Sequence, residues 1–125
     1  MSTTLLRISA LLGALAVGAG AFGAHALRDS VPPERLATWQ TAASYHLLHA
    51  VILYILASAP SPRGMSFGFF TAGILLFSGS LYALVLLDLP VLGAVTPLGG
   101  VAFILGWLSL GAPLLTQRPS DRITP

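Results

Sequence analysis

Three histidines, His25, His46 and His49, are the side chains of this chain best able to ligate a metal, carry a proton or bond a ligand. His46 and His49 stand three residues apart, so a helix would put both imidazoles on one face, within reach of a single ion. A metal needs further ligands, however, and the apolar stretches on either side offer no carboxylate. The residues therefore predict a pair of neutral imidazoles, bonded to hydroxyls or carbonyls of neighbouring helices, with no metal and no cofactor. Tyr45, Gln40 and Thr41 add polar groups beside the pair, and Ser78 and Ser80 supply hydroxyls from a later stretch. Folding the chain back near Pro62 brings His46 level with Ser78, with Gly79 giving room for close approach. Together His46, His49, Tyr45, Gln40, Thr41, Ser78 and Ser80 form the candidate polar cavity.

His25, Glu34 and Trp39 are expected at a membrane interface instead, His25 bonded across the turn that holds Arg28 and Asp29. On a straight helix His25 falls level with about Arg35 to Thr38, and His46 lies roughly 15 Å deeper. One joint three-histidine site is therefore not expected. No nucleophile motif, phosphate-binding glycine loop or catalytic carboxylate pair is present, so no catalytic residue is assigned and the protein is not expected to be an enzyme.

The elements that must position these groups follow from composition. In 125 residues, 55% are hydrophobic and 8% charged, and the mean hydropathy is +0.86. A soluble domain carries about a quarter of its residues as charges, so this chain is an integral membrane protein. The net charge of +2 comes from scattered arginines, which make no nucleic-acid footprint and instead mark helix ends. The absence of cysteine excludes disulfides, thiolate metal sites and thiol catalysis.

Read in order, the chain is one membrane domain over residues 1–125, an all-α bundle of four transmembrane helices at about 5–27, 33–59, 65–87 and 91–115, with a polar tail at 117–125. The first span has the look of a signal peptide, with Ala24-His25-Ala26 as a cleavage site. Because the rest of the chain is itself membrane-bound, retention is expected. Two rows of small residues, Ala10-Ala14-Gly18 and Ala16-Gly20-Ala24, are expected at helix contacts. Pro33 suits the first position of the second helix, whose length to Ala59, about 40 Å, exceeds a hydrocarbon core of about 30 Å. Its polar start, with Trp39, is therefore placed at the headgroups. Glu34, Thr38, Thr41, Tyr45 and His49 fall in one polar stripe. Thr96-Pro97 either kinks the fourth stretch or starts its helix. Arg7, Arg63, Arg118 and Arg122 fall on one side of the membrane and Arg28 and Arg35 on the other, which puts both termini in the cytoplasm.

Four blocks also carry a resemblance. GAFGAH from Gly20 to His25, WQTAASYHLLHA from Trp39 to Ala50, FTAGILLFSGSLYAL from Phe70 to Leu84, and TPLGG with a later GW from Thr96 to Trp107 resemble the bacterial membrane proteins of domain-of-unknown-function family 423. That family is similar to eukaryotic transmembrane protein 256. The resemblance covers about Gly13 to Leu110 and implies a small four-helix inner-membrane protein, with no activity attached. Pro32 stands where a Ser or Thr cap would be expected before the helix-starting Pro33.

Three roles fit these features. The first is non-catalytic packing, assembly or membrane homeostasis, and it is the reading the residues favour. The second is a transporter or channel subunit with a His-lined polar cavity. The third is a lipid- or quinone-binding module. A continuous polar cavity reaching His49 would favour the second, an apolar groove open to lipid the third, and a dry bundle the first. The expected partners are the lipid bilayer and either a second copy or another membrane protein.

Overall fold

A computed structural model describes residues 2–61 and 63–116, which fold as an all-α bundle. The expected polar tail, with Arg118 and Arg122, lies outside the described residues, as does Pro62. Helix α1 runs Thr3–Leu27, α2 Pro33–Ser58 and α3 Gly64–Leu87, and all three are long and apolar enough to cross a membrane. The last crossing, Pro90–Pro113, has two parts. A 3-10 turn at Pro90–Ala94 leads into α4, Thr96–Thr116. Thr96-Pro97 therefore starts a helix. Proline in its first turn costs no hydrogen bond there.

Helix α2 is the most enclosed of the four and α1 the least. Pro32 precedes α2 in extended form and makes no side-chain cap, so Pro33 and Glu34 open the helix without that acceptor. Asp88 ends α3 in the left-handed conformation, at φ 52°. From that corner its carboxylate reaches back to Arg35 at 2.9 Å.

Close packing between spans is concentrated on α3 and α4. A Cβ on Gly99 would strike the Phe77 backbone, one on Gly73 the Phe103 ring, and one on Gly106 the Phe70 ring. These contacts keep step along two antiparallel helices, each glycine receiving an aromatic side chain or bare backbone. Hydroxyl pairs close both ends of the same seam. Ser66 meets Ser109 at 2.7 Å, and Ser80 meets Thr96 at 2.7 Å. Because Ser109 and Ser80 also donate to carbonyls of their own helices, at Gly106 and Phe77, their partners must be the donors across the gap.

The small-residue rows expected to pack α1 do not. Ala10, Ala14, Gly18, Gly20 and Ala24 are exposed, and nothing lies within 4 Å of a Cβ placed on Gly18 or Gly20. Only Ala16 of the two rows is buried. Helix α1 instead turns Ser9, Ala16, Gly23 and Leu27 inward. That face repeats every seven residues, the spacing that keeps one stripe against a neighbouring antiparallel helix. Counting small residues located them correctly but did not tell which side of the helix the bundle occupies.

Two segments depart from α geometry, Gly23–Leu27 at the end of α1 and Ile74–Ser78 in the middle of α3. Both are π turns, which insert an extra residue and so rotate everything that follows.

Candidate functional site

Trp39 is the first side chain that the structure relocates. It is not presented to headgroups but buried in the bundle, with its indole N–H donating to the Ala19 carbonyl at 2.7 Å. Gly23 makes this possible, since any Cβ there would run into the indole ring. Phe22 and Tyr82 hold the ring from either side, with centroids 5.5 and 4.6 Å away. An amphipathic ring settles at the headgroups only when nothing inside the protein offers both space and an acceptor.

His46 and His49 are both buried, but they look into different places. Nδ1 of His46 meets the Tyr82 hydroxyl of α3 at 3.0 Å. His49 turns to α4, stacking on Phe103 with centroids 3.7 Å and planes 12° apart. Its Nδ1 donates to the Tyr45 carbonyl at 2.7 Å, and its Nε2 accepts the Trp107 indole N–H at 3.2 Å. One nitrogen gives a proton and the other receives one, so this network holds the neutral Nδ1–H tautomer of His49.

The expected cavity is therefore not one space. Gln40 and Thr41 are exposed, and Tyr45 is half exposed with its ring against Phe77. Ser78 is fully buried, but its hydroxyl donates to the Ala42 carbonyl at 2.8 Å rather than to His46. Ser80 belongs to the α3–α4 seam. The partner of His46 is Tyr82, one turn beyond Ser78. The reason is directional: side chains lean toward the N-terminus of their own helix, so on antiparallel helices His46 and Tyr82 lean toward each other. Equal depth of backbone atoms points to the wrong residue. Of the stripe along α2, Glu34 and Thr41 are exposed and His49 alone is buried. Among the interfacial candidates, Glu34 sits in the first turn of α2, where a carboxylate suits the positive helix end. His25 is exposed within the π turn of α1, and among the described residues no hydrogen bond ties it to Arg28 or Asp29. No group of three metal-binding side chains gathers among the described residues.

Beside His46 the bundle opens. A crevice of about 310 Å³ lies between α1 and α3, lined by Leu12, Leu15, His46, Ile74, Leu75, Gly79 and Tyr82. Gly79 does not bring helices together there. A Cβ on it would meet only the Ile74 carbonyl, at 3.9 Å, so the glycine widens the crevice. His46 is only 5% exposed, and among the described residues its Nε2 is the buried side-chain nitrogen or oxygen without a hydrogen-bond partner. The Leu12 backbone of α1 is close enough to act on the imidazole, but no hydrogen bond forms at Nε2. Sequence reasoning missed Tyr82, Leu12 and Trp107. For Tyr82 a signal existed, four residues after Ser78 and hence on the same helical face.

The family model described as "Protein of unknown function (DUF423)" matches residues 19–100. The UPF0382 membrane protein YwdK of Bacillus subtilis (strain 168) is 43% identical, over 84% of this chain and 94% of its own length. The UPF0382 membrane protein SAB0533 of Staphylococcus aureus (strain bovine RF122 / ET3-1) is 41% identical, over 84% of this chain and 93% of its own. A third, from Staphylococcus epidermidis (strain ATCC 12228 / FDA PCI 1200), is 40% identical over the same shares. No solved structure matches. With four helices of membrane-crossing length and these relatives, the chain belongs to the DUF423 family of membrane proteins.

Proposed function

We propose that this small membrane protein holds a lipid-soluble molecule in the crevice between α1 and α3, by binding rather than by chemical conversion. The carrying observation is the unpartnered Nε2 of His46 beside that crevice. A buried polar atom left unpaired costs about 1–3 kcal/mol, a cost that a bound ligand would offset. The lining is otherwise apolar and faces the lipid, the arrangement expected of a site that fixes a hydrophobic body by one oriented polar contact. Of the three roles weighed from sequence this is the lipid- or quinone-binding one. It gains on the packing role because a crevice exists. It gains on a proton path because His46 and His49 face different helices and both nitrogens of His49 are engaged.

The proposal extends to location: a bacterial inner membrane, with both termini cytoplasmic and the bilayer as the main partner. In the sequence Arg7, Arg63, Arg118 and Arg122 flank one set of span ends and only Arg28 and Arg35 the other, an excess of four to two that supports this orientation. The experiment is native mass spectrometry of the purified protein against Gly79→Leu, which fills the crevice without striking packed atoms at Cβ. A hydrophobic molecule retained by the parent and lost from the variant supports the proposal. Equal retention by both, or none by either, sinks it.

A further inference from the structure

Resting on the crevice reading above, we infer that its ligand is a membrane-soluble carbonyl compound of the quinone type, whose carbonyl oxygen accepts a hydrogen bond from the Nε2–H of His46 near the bilayer midplane. Two independent features lead there, the sense of the free hydrogen bond and its depth.

The sense follows from counting protons around Tyr82. Its hydroxyl contacts Nδ1 of His46, and no other acceptor for its proton is present among the described residues. If Tyr82 donates to Nδ1, its proton is satisfied, the imidazole hydrogen sits on Nε2, and one donor remains unpaired. If Nδ1 donates instead, the Tyr82 hydroxyl hydrogen and the Nε2 lone pair are both left over. The first arrangement strands fewer buried groups and is the stable one. It presents an N–H at the crevice. No hydrogen bond is completed at Nε2 among the described residues, so the donor remains available to an acceptor from outside.

Depth narrows the source of the acceptor. His46 lies near the midpoint of the 26-residue α2, and Leu12, Leu15, Ile74, Leu75 and Gly79 lie toward the middle of their own spans. Glyceride ester carbonyls are held at the edge of the hydrocarbon layer, about 15 Å from its centre when that layer is about 30 Å thick. A quinone ring is not anchored there. It is uncharged and flat, carries acceptors only, and can enter a slot of about 310 Å³ with its tail left among the lipids.

The test uses the full-length protein in detergent on a Trp107→Phe background, which leaves Trp39 as the remaining indole of two. Trp39 contacts Tyr82, with ring centroids 4.6 Å apart, so a quinone in the crevice quenches its emission. Decyl-benzoquinone is titrated first, then dioleoyl phosphatidylglycerol as competitor. The expected result is saturable quenching, not displaced by the phospholipid, weakened about tenfold by His46→Leu, as for a lost buried hydrogen bond, and abolished by Gly79→Leu. Tyr82→Phe, which frees the tautomer of His46, should weaken binding by a smaller factor. If His46→Leu does not fold, Gly79→Leu carries the comparison, since its Cβ would meet only the Ile74 carbonyl, at 3.9 Å. Quenching that is non-saturable, or equal in all variants, overturns the inference, as does His46-dependent displacement by phosphatidylglycerol, which would assign the donor to ester carbonyls. In those cases the crevice reading still stands if the parent retains a hydrophobic molecule that Gly79→Leu loses. If nothing is retained and nothing quenches, both fall.

Discussion

Trp107 donates its indole N–H to Nε2 of His49 at 3.2 Å, a side-chain hydrogen bond that ties α4 to α2. Because Nδ1 of His49 is spent on its own helix, Trp107 is the only described residue that uses the outward nitrogen. Hydrogen bonds between membrane helices average about 0.6 kcal/mol and reach about 1.7 kcal/mol. A double-mutant cycle of His49→Leu and Trp107→Phe, read by unfolding in mixed detergent, should return a coupling energy in that range. A coupling of zero would mean that the stack on Phe103 alone places the ring.

Glycines on different helices should respond oppositely to the same change. Gly99→Ala forces a Cβ into the Phe77 backbone, and overpacking of this kind costs about 1–3 kcal/mol. Gly18→Ala and Gly20→Ala add a methyl to open space and remove a flexible residue from a helix, so each should be neutral or stabilising by about 0.5–1 kcal/mol. Loss of stability at Gly18 or Gly20 in dilute detergent would contradict the packing described for α1.

The corner at Asp88 makes a third case. Its carboxylate is 85% exposed, so the pair with Arg35 contributes at most about 1 kcal/mol and weakens with salt. The backbone matters as much, because φ of 52° suits Asp, Asn or Gly and disfavours a branched side chain. Asp88→Val should cost about 1 kcal/mol more than Asp88→Asn, as measured by thermal melting at high ionic strength, where the ion pair is screened.

Orientation is checked directly. A reporter fused after Gln117 should read cytoplasmic, as should one in the loop at Arg63, while a fusion after Ser30 should read from the opposite side. A periplasmic signal at Gln117 would reverse the arginine argument.

Much of this architecture was legible because a bilayer imposes strong rules. Length and hydropathy mark the crossings, and Pro33, Pro60 and Pro90 punctuate them at predictable places. That His46 and His49 belong inside was also readable from the cost of exposing polar groups to lipid. What they touch was not. Partner choice depends on side-chain lean, which replaced Ser78 by Tyr82, and on helix rotation, which separated His46 from His49. Trp39 shows the limit of residue statistics: the preference of indoles for headgroups gave way to one glycine and one free carbonyl. Nor does composition announce a π turn, since neither GAHAL nor ILLFS breaks helical periodicity.

The π turn at Ile74–Ser78 has a consequence for how α3 can vary. It divides the helix into two phases, one seating Phe70 and Gly73 against α4, the other aiming Tyr82 at α2. One residue of an α-helix turns the chain by about 100°. Deleting a single residue within the turn would leave both phases in place, because the wider π turn already absorbs its extra residue, whereas the same deletion between the turn and Tyr82 would swing Tyr82 away from His46. Insertions and deletions usually belong to loops, but here a one-residue length change in mid-membrane can be taken up without disturbing the side-chain pair beyond it.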